Sequence, residues 1–377
     1  MKGKQGLVCM GLLLVLSSCH TGKQITASGL QRKDFQTEVN GQHTDLFTLS
    51  NKQGMEVCIT NYGARVVSIL VPDRNGKRED VVCGFSTITE YMEQRQNFGS
   101  TVGRYIGRIL NARFTLDGVE YKLVPNNGKS GHISHGGNPG FADRIWKVEQ
   151  ADTHRVRLSY LSPDGENGFP GNLKVTLVYS LGEDDNALDL TYEATTDAPT
   201  VLNLSHHSFF NISGNFTKSV EDQQLWVDAD RFTPYDDKKC VTGEYLPVAG
   251  TPLDFRMPHT IGECIDADHP QLKVVNGYDH TWELNTKGDD TRPAAWVYDP
   301  ASGRKMEIFT TEPGMQIYTG NGLKGKMTGK GGIAYPFRSA VCFETMHFQD
   351  SPNQLGFPST VLRPGEVFRS HTVYKFE

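Results

Sequence analysis

This sequence predicts an all-β fold, a single large antiparallel domain, on three observations. Stretches of period-two alternation recur along the chain, 39 glycines and 18 prolines punctuate its 377 residues, and no long amphipathic helical stripe interrupts the series. Residues 56–60, 65–71, 155–161 and 173–179 read as strands. Turn signals at Asp73-Arg74-Asn75-Gly76, Asp117-Gly118, Asp164-Gly165 and Asn321-Gly322 separate such runs. One short helix is expected near Glu90 to Gln94. No Pro/Ser-rich linker, fixed-period repeat or low-complexity tract divides the chain, which favours one layered domain.

At the N-terminus, Met1-Lys2-Gly3-Lys4 is a charged start, and Leu7 to Leu16 is an apolar run broken only by Gly11. Small residues follow, which describes a secretory signal; the run is well short of the ~20 residues a spanning helix needs. Leu16-Ser17-Ser18-Cys19 resembles a bacterial lipobox, in which Cys19 is lipidated and becomes the mature terminus. The expected organisation is a signal over 1–18, a polar tether over 19–36 and a folded domain over 37–377. That points to a lipid anchor in a bacterial cell envelope, facing the periplasm or on the outer membrane. The sequence leaves open which membrane holds it.

Composition excludes some classes of partner. A formal net charge of −6 and the lack of a long basic run argue against nucleic acid. Of seven cysteines, Cys9 and Cys19 lie in the leader. The other five, Cys58, Cys83, Cys240, Cys264 and Cys342, are odd in number and widely spaced, with no CxxC, so neither a disulfide framework nor a metal site is expected.

The candidate chemistry centres on the stretch from Val341 to Asn353. It opens as an apolar strand into which one carboxylate, Glu344, is set. A lone buried carboxylate costs several kcal/mol unless paired, so Glu344 reads either as an Arg-tied structural residue or as a general base tuned by burial. In Val201 to Asn211, alternation puts Leu202, Leu204 and His206 on one face and Asn203, Ser205 and His207 on the other. His207 therefore belongs to a polar face, and an imidazole there suits proton transfer near neutral pH. Neighbouring extended residues point apart, so His206 and His207 are not expected to chelate one ion. Arg104 and Arg108 stand four apart among apolar residues, as donors for a diol or carboxylate or as surface cations. His135 lies in a glycine-rich loop, where it is either a ligand group or a loop hydrogen-bonder. Asp279 and Gln316 are hydroxyl-binding side chains next to turns, or a turn cap and a solvated strand position. Trp146 is expected in the core.

Taken together these segments resemble the aldose 1-epimerases (galactose mutarotases) from about Phe47 to Phe376. The shared pieces are Gly103-Arg104 with Gly107-Arg108-Ile109, Asn126-Asn127 leading to His135-Gly136-Gly137, and Asp164 through Gly171. They continue with Asn203-Leu204-Ser205, His207-Ser208-Phe209-Phe210-Asn211, Leu253-Asp254-Phe255-Arg256 and Gly277-Tyr278-Asp279-His280. Pro313 through Thr319 and Glu344-Thr345 through Asn353 complete the order. The resemblance implies a β-supersandwich that interconverts the α and β anomers of free hexoses such as galactose and glucose, with neither metal nor organic cofactor. By position, Glu344 would be the general base on the anomeric hydroxyl and His207 the general acid on the ring oxygen. Arg108, His135, Asp279 and Gln316 match positions that bind sugar hydroxyls. Three departures stand out: His206 where Asn is more frequent, Gly107 in place of Asn, and Ser134 in place of Leu. Rival readings are a glycoside hydrolase using Glu344 with Asp279, a tethered sugar-binding protein, and a hexose-phosphate epimerase, which would need more cations than Arg104 and Arg108 supply.

Overall fold

In the computed structural model, which describes residues 24–377, period-two sequence becomes one face in and one face out. Leu173–Leu181 shows it most plainly: Leu173, Val175, Leu177, Tyr179 and Leu181 are buried and the residues between them are not. This strand pairs antiparallel with Arg155–Ser162 on one side and Ala187–Thr196 on the other. They belong to a nine-stranded sheet that continues through Phe368–Phe376, Lys305–Thr310, Ala295–Tyr298 and Gln224–Val227 to His259–Thr260, with Lys147–Ala151 at its opposite edge.

Against this sheet lies a six-stranded one. Its order is Phe209–Phe210, Val341–Met346, Gly314–Tyr318, Asp279–Glu283, Arg231–Thr233, Leu246–Pro247. The two layers are joined by polar contacts as well as by the shared core. Thr345 Oγ1 lies 2.7 Å from Thr372 Oγ1, and the Tyr374 hydroxyl donates to the Phe343 carbonyl at 2.9 Å. A four-stranded sheet of Leu46–Ser50, Glu56–Thr60, Arg65–Pro72 and Arg78–Asp80 completes the frame. Its second strand is buried throughout, because Val57 and Ile59 enter one apolar cluster and Cys58 another. Trp146 is wholly buried, as expected.

The turn signals sit where the strands reverse. Asp117 and Gly118, both at positive φ, link Arg113–Leu116 to Val119–Lys122, which is the geometry that matches strand twist in a two-residue hairpin. The short helix spans Ile88–Gln94. The Thr87 hydroxyl accepts from the Glu90 N–H, and the Glu90 carboxylate accepts from the Thr87 N–H, forming a capping box.

The domain begins earlier than residue 37. The expected tether lies against it from residue 24, with Leu30 and Phe35 buried beside Leu46, Cys58 and Val67. Arg32 pairs with Asp45, and the Ala27 N–H donates to Glu56 at 2.6 Å. Two apolar residues in a polar run leave no periodic signal, yet burial of each is worth about 1.5–3 kcal/mol. The signal segment and Cys19 lie outside the described residues. Among the described residues no helix is long and apolar enough to cross a membrane, and the five described cysteines are all free.

Candidate active site

Val341–Met346 carries the site because its two faces meet different surroundings. Thr345 faces the nine-stranded sheet through Thr372, and alternation puts Phe343 on the same face. Alternation then turns Glu344 and Met346 the other way, into a cavity of about 250 Å³. The neighbouring strands add to the same face: Gln316 is the cross-strand partner of Glu344, and Thr281 is that of Gln316. Gln316 donates from its amide to Asp279 Oδ1 at 2.6 Å, and its Oε1 accepts from the Thr281 hydroxyl at 2.5 Å. Both ends of the amide are thereby oriented, and Gln316 is 4% exposed rather than solvated.

Ser205–His207 pairs with Ser100–Val102, which sets the two histidines on opposite faces. His206 turns into the core. Its Nε2 lies 2.6 Å from Ser208 Oγ and its ring lies 6.0 Å from Tyr374. His207 turns into the cavity, stacks on Phe209 with ring centroids 5.0 Å apart, and brings Nε2 to 3.4 Å from Glu344 Oε1. Among the described residues His207 is the one ion-pair partner within reach of Glu344. The Arg-tied alternative for Glu344 therefore does not hold.

Arg108 and His135 arrive on adjoining loops joined through the Arg108–Ile109 and Ile133–Ser134 pairing. Gly136 permits that approach: at φ +78° it is left-handed, and a Cβ there would fall 1.9 Å from the Gly103 carbonyl oxygen. The His135 ring stands 5.5 Å from that of His207. All six predicted residues, Glu344, His207, Arg108, His135, Asp279 and Gln316, thus line one cavity. Arg104 does not. It is buried, neither a surface cation nor a ligand group, and its guanidinium donates to the Pro170 and Gly171 carbonyls at 2.7 and 2.9 Å.

Gln349, Asn97 and Tyr318 also line the cavity and carried no sequence signal of their own. Gln349 donates to the Tyr235 hydroxyl at 2.7 Å and accepts from Arg108 Nη1 at 3.4 Å, so it braces the guanidinium. Its place inside the Glu344 stretch was the available clue.

Electrostatics follow from burial. Glu344 is 3% and His207 6% exposed. Desolvation, with the Asp279 charge adding to it, holds the Glu344 carboxyl well above its ordinary range. Desolvation, with His135 adding to it, holds His207 well below its own. Both directions favour neutral forms, so the pair retains one proton between them across neutral pH. Burial lowers His135 to about 4, keeping it a neutral hydrogen-bonding group.

Donor atoms of His207, Cys342 and Glu344 lie within 4.8 Å of one another. Burial and the Glu344 charge push the Cys342 thiol well above its ordinary value. In this free form the sulfur is protonated.

The sequence profile of aldose 1-epimerases matches residues 45–375. Galactose mutarotase from Bos taurus is 40% identical over 331 residues, spanning 88% of this chain and 93% of the relative. Aldose 1-epimerase from Escherichia coli is 36% identical over 339 residues, spanning 89% and 96%. Among solved structures, an aldose epimerase homologue from C. elegans superposes with a TM-score of 0.81 at 31% identity, covering 89% of this chain and 99% of the other. A β-sandwich whose inner strand offers a buried Glu to a buried His, matched over nearly its whole length by these relatives, places the chain in the aldose 1-epimerase family.

Proposed function

We propose that the protein is a mutarotase: it interconverts the α and β anomers of free hexoses such as galactose and glucose through Glu344 and His207. The observation that carries this reading is the 3.4 Å contact between His207 Nε2 and Glu344 Oε1, set in a cavity rimmed by Arg108, His135, Asp279 and Gln316. The pair shares one proton. With that proton on His207, the Glu344 carboxylate takes the proton of the anomeric hydroxyl. The C1–O1 bond becomes a carbonyl as the C1–O5 bond breaks, and O5 takes the proton from His207. Rotation about C1–C2 presents the other face of the aldehyde. His207 then recovers the proton from O5 as O5 attacks C1, and Glu344 returns its proton to O1.

Positioned acid and base groups each supply about 10²–10⁴. Arg108, with Asp279 and the orienting amide of Gln316, holds the sugar hydroxyls, and burial keeps competing water away from the pair. Polarimetry on freshly dissolved α-D-galactose and α-D-glucose tests the reading. Faster decay of rotation supports it, and sugar binding without acceleration refutes it.

The leader supports a further part of the reading, that Cys19 is lipidated and tethers the enzyme in a bacterial envelope. Labelling of the expressed full chain with a radioactive fatty acid, lost in Cys19→Ala, is the expected result. Equal labelling of the variant would refute it.

A further inference from the structure

Three buried donor groups meet at the floor of the cavity: the Glu344 carboxylate, the His207 imidazole and the Cys342 thiol, within 4.8 Å of one another. The alternation that turns Glu344 toward the cavity turns Cys342 the same way, two residues further along the strand. Cys342 is wholly buried and stops short of the cavity wall. Its cross-strand partner Phe209 stacks on the His207 ring, which brings imidazole and thiol together. None of the three groups is spent elsewhere. Among the described residues Glu344 pairs with His207 alone, Cys342 has no hydrogen-bond partner, and His207 Nδ1 is buried and unpartnered. Mutarotation uses two of them and gives Cys342 no step.

Their spacing is close to that of a metal site. Zinc takes nitrogen and oxygen at about 2.0–2.2 Å and sulfur at about 2.3 Å, so a tetrahedron sets N about 3.3–3.4 Å from O. His207 Nε2 already stands 3.4 Å from Glu344 Oε1. With the sulfur within 4.8 Å of both, roughly an ångström of side-chain movement completes three ligands, and the cavity leaves the fourth place to water. A carboxylate and a thiolate around a divalent cation, with a neutral imidazole, sum to zero charge, which suits a buried site. Magnesium and calcium want six or more oxygens, and this set holds one carboxylate. A thiolate selects zinc or cadmium.

A rival thiol, Cys240, lies 3.3 Å from His132 Nε2. There the Asn111 N–H donates to His132 Nδ1 at 2.9 Å, so the neutral ring holds its proton on Nε2 and offers the sulfur side no lone pair. His207 is the opposite case. No donor points at its Nδ1, which is free to keep the ring proton and leave Nε2 to a metal.

We propose that His207, Cys342 and Glu344 form an inhibitory site for a thiophilic divalent cation of the zinc class. Binding displaces the proton shared by Glu344 and His207 and the thiol proton of Cys342; both leave to solvent, and no bond of the chain breaks. The ion then holds the two groups that open the sugar ring, so metal and sugar exclude one another. The inhibition rests on the mutarotase reading, and the binding does not. His207 Nδ1 lacks the outer partner that such ligands usually have, which costs a metal site roughly 10–100-fold in affinity. That suits a reversible inhibitor better than a structural metal.

The test uses the full chain freed of metal by a chelator and follows two signals. One is the polarimetric rate on α-D-galactose with zinc, cadmium or magnesium chloride. The other is the ultraviolet charge-transfer absorption of a cadmium thiolate. Zinc and cadmium are expected to inhibit, galactose to relieve the inhibition, a chelator to restore the rate, and magnesium to do nothing. Cys342→Ala, checked for folding by circular dichroism, should still turn over galactose. Its half-inhibiting zinc concentration should rise by at least the roughly 10–100-fold that loss of even an outer partner costs. It should also lose one thiolate's share of the cadmium band, which Cys240→Ala should keep. Glu344→Gln, followed by the cadmium band alone, should bind more weakly too, and it reports on the site if Cys342→Ala fails to fold.

Equal zinc inhibition of wild type and Cys342→Ala would overturn the site, as would wild type with neither inhibition nor band. A band kept in Cys342→Ala and lost in Cys240→Ala would overturn it in favour of the rival thiol. Unchanged cadmium affinity in Glu344→Gln would overturn it as well. The expected band and losses in a protein that accelerates no sugar would remove the mutarotase reading and leave the metal site standing.

Discussion

Replacing each of the adjacent histidines with Asn separates the catalytic from the structural one. His207 contacts Glu344 at 3.4 Å, and its Nδ1 has no hydrogen-bond partner among the described residues. The loss of its imidazole removes a proton donor and one stacked face against Phe209, with no buried bond network. His207→Asn should therefore lower turnover by about 10²–10⁴ and change stability little. His206 is 2% exposed, holds Ser208 Oγ at 2.6 Å and packs between the rings of Tyr179 and Tyr374. Truncating it leaves a void and an unpaired Ser208 hydroxyl, together about 2–4 kcal/mol. Against a total stability of about 5–15 kcal/mol, the variant stays folded at room temperature and melts earlier. Polarimetric rates, normalised to the folded fraction from urea titration, read both effects. A folded but inactive His206→Asn beside an active His207→Asn would refute the assignment.

Other outcomes follow from the same geometry. One proton shared by Glu344 and His207 predicts a broad activity plateau through neutrality. Acid must add a second proton to a buried neutral pair, leaving it cationic, and base must strip the last proton, leaving a buried anion, so both limbs lie outside the ordinary range of a lone His. A single inflection near the ordinary imidazole value would contradict this. Hydrogen bonds to Asp189 and then Asp290, against burial, raise His371 to about 8. Its stabilisation is complete below the unfolded value near 6.5 and is lost as pH rises through about 8. With the side chain 32% exposed, the effect is of order 1 kcal/mol; the melting-temperature gap between wild type and His371→Ala should shrink from pH 6 to pH 9.

Much of this site was legible because strand alternation is a strict rule. It put His207 and His206 on opposite faces, and it marked Glu344 as a carboxylate in an apolar strand. The six site residues come from six separate stretches, and only the family resemblance brought them together before the structure did. Gln349 and Asn97 had no such signal. Gln349 matters through its contact with Arg108, 241 positions away in sequence, and Asn97 through loop placement after a capped helix. Arg104 was read as a donor to a ligand or as a surface cation and is neither, because composition does not reveal that a guanidinium will be spent on backbone carbonyls. Residues 24–36 looked like tether because their order comes from docking, with Leu30 and Phe35 filling places shaped by distant strands.

The most direct test of the mechanism is the initial rate of rotation decay for α-D-galactose with wild type and Glu344→Gln, paired with sugar affinity by calorimetry. Glutamine keeps the shape of the side chain and cannot accept the anomeric proton. The account predicts affinity within a few-fold of wild type and turnover reduced by at least about 10². Wild-type turnover in a folded Glu344→Gln protein would contradict it.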